Sequence, residues 1–328
     1  MPEFVFTNDF TLVVHSNKNA SLFKIASQNI INDSSEKPKG IFGIYYDDFD
    51  PSNNITNKWK QTYDNINIMK ISPRKKTLRM DDKILFAKYM KDSPYIPLHY
   101  NSKDDIIQEH EKDLFFVKRR GSTGGKGVTC VPYSKLNNTT DCVIQKSINN
   151  PHLFENRRYK SRVYVSIFNK KVFLYKHAWA SLALVDFSND VDSDNAKLLN
   201  DMHIIYQCAN RRFFELNEVD NFDKIFDSIK KSCCSFIKSF KNEINSIDGN
   251  EFCILGFDYI FDDDFNAQII EINHRSNYSH PKNVLDTVDI PALQDTIKLL
   301  INNSCDNTDY IEIKETDEEI KLIIEECD

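Results

Sequence analysis

The chain has 328 residues, 41% of them hydrophobic and 12% aromatic, which is enough for two or three lobes with real cores. Its formal charge of −7 is concentrated at one end: residues 306–328 hold ten acidic and two basic side chains, so the rest is close to neutral and the charge argues neither for nor against nucleic acid, although no such partner is expected. Residues 1–10 lack the basic start and apolar core of a signal peptide, no run approaches the ~20 apolar residues of a membrane span, and the eight cysteines show no C-x-x-C spacing, so a cytoplasmic protein with free thiols and no membrane contact is expected.

Residues 1–65 read as an N-terminal α/β domain: a strand at 10–15, a helix at 20–31 and a strand at 40–46, then a polar loop at 47–57. A second unit is expected over 66–147. It opens with a strand at 65–71 and the basic run Arg74-Lys75-Lys76 with Arg79. A helix at 81–91 follows, where Ile84, Leu85, Tyr89 and the stem of Lys88 keep helical spacing. Next come a strand at 114–118, a glycine loop at 121–127, a strand at 128–132 and a short buried strand at 142–145. A third unit, 148–305, begins with a hairpin of strands 159–169 and 171–177. An amphipathic helix at 221–244 carries one apolar stripe from Phe222 through Ile225, Ile229, Cys233 and Phe236 to Phe240. A second hairpin, 253–261 and 267–273, and a helix at 291–301 complete it. The acidic tail, 306–328, offers a strand at 310–314 and a helix at 317–327.

The second hairpin holds the densest chemistry. A turn at 262–266 sets Ile260 opposite Ile269 and Asp258 opposite Glu271, with Asn273 on the same face and opposite Gly256. Facing carboxylates stand only ~5 Å apart at Cβ and repel, so the pair calls for a cation between them. Two carboxylates and an amide oxygen are hard donors that suit Mg²⁺ carrying substrate phosphates.

Four glycines and four cations crowd residues 118–127. Gly125-Lys126 is followed by Gly127 and not by Ser or Thr, so this is no Walker A loop. A strand follows it, so it is no dinucleotide-binding turn either. Glycines let backbone N–H groups approach phosphate oxygens, and Gly124, Gly125, Lys126 and Gly127 form a flap over a triphosphate, with Lys118 reaching an α- or β-phosphate. The apolar strand ending in Gln145, Lys146 and Ile148 could lend its edge to an adenine. Arg158, Lys160 and Arg162 alternate onto one face of a buried-looking strand and demand an anion. Arg162 is the best placed of them to hold phosphate bidentately.

In this order the segments resemble the ATP-grasp fold and, within it, the tubulin tyrosine ligase-like family, from about residue 73 to 279. The resemblance rests on Asp82-Lys83-x-Leu85, the flap with Lys118 and the Val-Ile-Gln-Lys-Ser-Ile linker. It rests also on Asn150-Pro-x-Leu153 through Arg162-Val-Tyr-Val, Gly256-Phe-Asp258 and Glu271-Ile-Asn273. It implies an α+β fold with an N-terminal α/β lobe, a small central lobe and a C-terminal lobe whose antiparallel sheet grips ATP. It implies ATP and Mg²⁺ as cofactors, Asp258, Glu271 and Asn273 on the metal, and Lys118 and Arg162 as catalytic residues on phosphate or acyl phosphate. Lys83, the flap, Gln145, Lys146, Ile148 and Lys160 would complete the nucleotide site. The implied reaction is ADP-forming ligation of an amino acid to a peptide or protein. The chain departs from the family pattern at Lys160, where Asp is usual, and at Ser181, where Arg is usual. His203-Ile-Ile-Tyr206 and His274–Tyr278 depart from it as well. An inositol-phosphate type kinase, motivated by the basic run at 74–79 with Lys160 and Arg275, and a nucleotide-binding protein without turnover are the alternative readings.

Overall fold

The computed structural model describes residues 3–7, 10–33, 39–47, 54–122, 127–137, 140–188 and 212–315. Gly124, Gly125 and Lys126 of the flap, His203–Tyr206 and the tail helix expected at 317–327 lie outside the described residues. Among the described residues the fold is α+β, with ten strands in one sheet and four in a second.

The large sheet starts at an antiparallel pair, β1 (Glu3–Thr7) and β2 (Thr11–Ser16). β3 (Ile41–Tyr46) and β4 (Asn67–Ile71) then continue it in parallel. Parallel neighbours need a crossover, and α1 (Ala20–Asn32) and α2 (Asn54–Thr62) supply two. The helix α2 occupies part of the stretch expected as a polar loop. Only Thr56 and Trp59 are buried on it, too few to mark a helical period in the sequence. The basic run is likewise a helix, α3 (Arg74–Asp81), whose buried residues are Thr77 and Met80. α4 (Lys83–Tyr89) follows at once, its N-terminus capped by the Asp82 carboxylate on the N–H groups of Ile84 and Leu85, each at 3.1 Å.

β4 joins the N-terminal strands to β12 (Glu251–Phe261), in parallel through Lys70–Glu251 and Ile71–Phe252. β12 lies antiparallel to β9 (Tyr159–Phe168) on one side and pairs with β13 (Ala267–His274) near its far end. β9 pairs with β10 (Lys171–Leu182), and β10 with β11 (Phe213–Glu215) and β14 (Tyr310–Ile313). All ten residues of β9 are buried, so the cations that the sequence puts on this strand are interior ones.

Helices cover both faces of this sheet. α5 (Phe222–Ser239) lays Ile225, Ile229, Cys233 and Phe236 on one face, against β9, β12 and β13. The single helix expected over 221–244 breaks at Phe240, whose ring packs on Phe236 and Tyr89, and resumes as α6 (Lys241–Ser246). α1 and α7 (Ile290–Asn302) cover the opposite face. The small sheet, in the order β5 (His99–Tyr100), β8 (Cys142–Lys146), β6 (Leu114–Arg119), β7 (Val128–Pro132), stands over the end of the β12–β13 hairpin. There Leu114, Phe116 and Val128 pack on Ile260 and Ile270. Among the described residues no helix is long and apolar enough to cross a membrane, and the described cysteines are free thiols.

Candidate functional site

Asp258 faces Glu271 and Gly256 faces Asn273, in the register that the sequence requires. The turn end differs. Tyr259 pairs with Ile269 and Ile260 with Gln268, so Ile270 is an extra residue and the expected Ile260–Ile269 pair does not form. This bulge bends β13 where the small sheet meets it. The Ile270 carbonyl accepts a hydrogen bond from Lys118 Nζ at 2.9 Å, and the Ile269 N–H donates to the Tyr95 carbonyl at 2.7 Å.

A row of side chains crosses four strands in register: Trp179 on β10, Arg162 on β9, Asp258 on β12 and Glu271 on β13. Arg162 Nε donates to Asp258 Oδ1, and its guanidinium lies over the Trp179 ring, 5.8 Å from the centroid. Lys160 Nζ donates to Asp258 Oδ2 at 2.9 Å. Glu271 Oε1 pairs with Lys83 Nζ at 3.0 Å, and the same ammonium donates to the Ser122 carbonyl at the base of the flap. Gly256 keeps this arrangement open. A Cβ there would fall 1.9 Å from Ser276 Oγ and 2.9 Å from Arg162 Cδ, so both side chains lie across a position that only glycine leaves clear.

Burial opposes ionisation of Asp258, but Arg162 and then Lys160 outweigh it and hold the carboxyl well below the usual carboxylate range. Burial lowers Lys160, with Asp258 pulling the other way. Lys118, 2% exposed, is pushed down to about 8 by burial, and it feels Glu271, Lys83, Asp258 and Lys160 together. The six groups therefore form one electrostatic unit although they come from five elements.

Lys83, Lys118, Gln145 and Glu271 line a common cleft between the two sheets, with Phe86 and Val143 among its apolar walls. The cavity between them is tight, about 10 Å³, room for roughly one water molecule. Lys160 and Arg162 adjoin it through Asp258. Two of the expected nucleotide residues turn elsewhere. Lys146 pairs with Asp113 at 3.1 Å, because alternation along β8 sends it opposite to Gln145. Ile148 lends its carbonyl to Arg158 and packs beside the small sheet. Gly127 adopts φ 74°, with the flap base folding Ser122 against it.

The basic run does not join the cleft as a polyanion site. Arg74 pairs with Asp81 at 2.6 Å, Lys76 with Glu251 at 2.7 Å and Arg79 with Glu243 at 2.7 Å. His274 bonds Thr77 Oγ1 at 3.2 Å and is pushed down to about 3 by burial and by Arg275, Arg74 and Lys18, which leaves it neutral. His280 bonds Asp289, which also accepts from the Tyr164 hydroxyl at 2.6 Å. Ser276 is a member of the site that sequence reasoning missed. It lies past the end of β13, where strand alternation no longer says which way a side chain points.

Asp258, Glu271 and Asn273 converge, but their donor atoms do not make a divalent-cation site as arranged. Both oxygens of Asp258 accept from side-chain cations, Glu271 is held by Lys83, and Asn273 turns its Nδ2 toward the Gly256 carbonyl at 3.4 Å. Among the described residues no group of three or more His, Cys, Asp or Glu side chains could hold a metal. The cation that the facing carboxylates require is supplied by the chain itself.

A family model described as the tubulin-tyrosine ligase family matches residues 46–221, more than half of the chain and ending before β12. The chain is 23% identical over 222 residues to tubulin glycylase 3C of Tetrahymena thermophila, covering 58% of this chain and 21% of the relative. It is 20% identical over 221 residues to tubulin glycylase 3B of the same organism, covering 59% and 18%. It is 21% identical over 257 residues to a probable beta-tubulin polyglutamylase, also of that organism, covering 66% and 21%. The match spans about a fifth of the length of these curated relatives.

Proposed function

The chain belongs to the tubulin-tyrosine ligase family, and from that premise we propose that it is an ATP-dependent ligase of the ATP-grasp type, joining an amino acid to a peptide or protein. The observation that carries the reading is the convergence of Lys83, Lys118, Gln145 and Glu271 from four elements on one cleft between the two sheets. Phe86 and Val143 offer apolar walls to a purine, and Gln145 a polar edge. In this reading Lys118, Lys160 and Arg162 would hold the polyphosphate. In the proposed reaction a carboxylate oxygen takes the γ-phosphoryl group, giving an acyl phosphate and ADP. An amine then attacks the acyl carbon, phosphate departs with the bonding electrons, and the nitrogen loses a proton to leave an amide. The cations' part is to hold the transferring phosphoryl oxygens in a water-poor site, where fixed charge is worth most. The relatives' names suggest glycine or glutamate as the amino acid and tubulin as the protein; the acceptor proposed for this chain is the broader class, a peptide or protein.

The test is to incubate the purified protein with ATP, Mg²⁺, single amino acids and a peptide library, and to measure ADP together with peptide mass. The expected result is ADP formed in step with a one-residue mass increment. Phosphate found on a polyol would select the kinase reading, and ATP binding with no turnover the non-catalytic one. Lys118→Met is expected to weaken ATP binding roughly ten- to a hundredfold, the worth of one charged hydrogen bond.

Lys118 also sets a pH dependence. It is half deprotonated at about 8 in the free protein, while a bound phosphate favours its charged form. ATP affinity is therefore expected to be flat below pH 8 and to fall toward tenfold per unit above it, as read by calorimetry between about pH 7 and 9.5. Stability moves the other way. Between about 8 and the ordinary lysine value of 10.5 the unfolded chain binds more protons, so removing the buried charge stabilises the fold as pH rises. Lys118→Met should abolish this component of both slopes.

A further inference from the structure

We infer that the charged cleft binds a polyphosphate directly through its lysines and arginine, with Lys160 occupying the side of Asp258 that a divalent cation would take, so that binding needs no divalent cation. The inference rests on the nucleotide reading above and deepens it.

The charge balance is the first support. Lys83, Lys118, Lys160 and Arg162 oppose Asp258 and Glu271, an excess of two positive charges, with Lys118, Lys160, Arg162 and Asp258 buried and the Glu271 side chain 23% exposed. Asp81, which lines the same cleft, is paired with Arg74 and does not offset that excess. A divalent cation alone would add to the excess, whereas a triphosphate, with about four negative charges near neutral pH, more than cancels it.

The second support is the geometry of Asp258. Its two oxygens are divided between Arg162 Nε and Lys160 Nζ, and the carboxylate and both cations are each no more than 5% exposed. A metal ion would have to displace a buried ammonium that has no other carboxylate within hydrogen-bond reach among the described residues.

The experiment measures binding of ATP and of inorganic tripolyphosphate to the full chain by calorimetry, in EDTA and in Mg²⁺, and of Mn²⁺ alone by electron paramagnetic resonance. The expected result is tripolyphosphate affinity in EDTA within about threefold of that in Mg²⁺, with no stoichiometric Mn²⁺ site in the free protein. Lys160→Met should lower the metal-free affinity about tenfold or more and make binding respond to Mg²⁺. The wild-type comparison stands even where that variant fails to fold. Binding of tripolyphosphate without binding of ATP supports the anion site and sinks the nucleotide reading. A requirement for Mg²⁺, a Mn²⁺ site lost in Asp258→Asn, or no binding of either anion overturns the inference.

Discussion

Asp258→Asn is expected to destabilise the fold by about 3–5 kcal/mol, the usual effect of removing one partner from a buried ion pair. The substitution keeps the shape of the side chain, removes its charge, and turns one of the two accepting oxygens into an NH2 that faces a donor. Lys160 and Arg162, both nearly sealed from water, would then face each other with no carboxylate between them. Equilibrium urea unfolding reads the loss directly. Two further measurements show that it arises from stranded charge and not from packing. Lys160→Met combined with Asp258→Asn should recover part of it, because one stranded cation is gone. Tripolyphosphate should stabilise the single variant more than it stabilises the parent protein, because the anion replaces the missing charge. A loss under about 1 kcal/mol, the range of a solvent-exposed pair, would mean that the pair is more hydrated than its burial indicates.

The site was legible in the sequence wherever strand alternation alone decides the outcome. The Asp258–Glu271 and Gly256–Asn273 pairs follow from a period of two and a short turn, and both form. The bulge at Ile270 was not legible, because Ile269 and Ile270 are the same residue type and an extra residue between apolar neighbours leaves no break in the pattern. The sequence also showed cations on one face of the strand at 159–168 and two carboxylates on another hairpin, and each set was given its own counter-ion, an anion and a metal. What joins them is the pairing of β9 with β12, two strands 96 residues apart at Arg162 and Asp258. No local period encodes such a pairing, so the sequence could not reveal that each set is largely the other's counter-charge. The helix α3 was hidden for a different reason. Its exposed faces are cationic and its buried residues are few, so the pattern showed only a basic run until Arg74 was seen to close on Asp81 of the same helix, and Lys76 and Arg79 on carboxylates of neighbouring elements.

Gly256→Ala is expected to lower tripolyphosphate affinity about tenfold or more and to cost the fold about 1–3 kcal/mol, the range for overpacking a tight interior. The new methyl group would meet Ser276 Oγ at 1.9 Å and Arg162 Cδ at 2.9 Å, distances at which something must move. β12 is held by β9 on one side and β13 on the other, so its backbone has little freedom to retreat. The side chains give way first, and Arg162 is the one whose displacement matters. It is hydrogen-bonded to Asp258 through Nε and to Ser276 Oγ through Nη1 at 3.3 Å, and rests on Trp179. Pushing it aside unseats the guanidinium that the proposed reaction places on phosphate. Calorimetry of tripolyphosphate binding and urea unfolding check the two effects separately. Ser276→Ala in the Gly256→Ala background removes the nearer clash and should restore stability more than affinity, because Arg162 still meets the methyl group. Equal recovery of both would mean that Ser276, and not Arg162, transmits the effect of the glycine to the anion site.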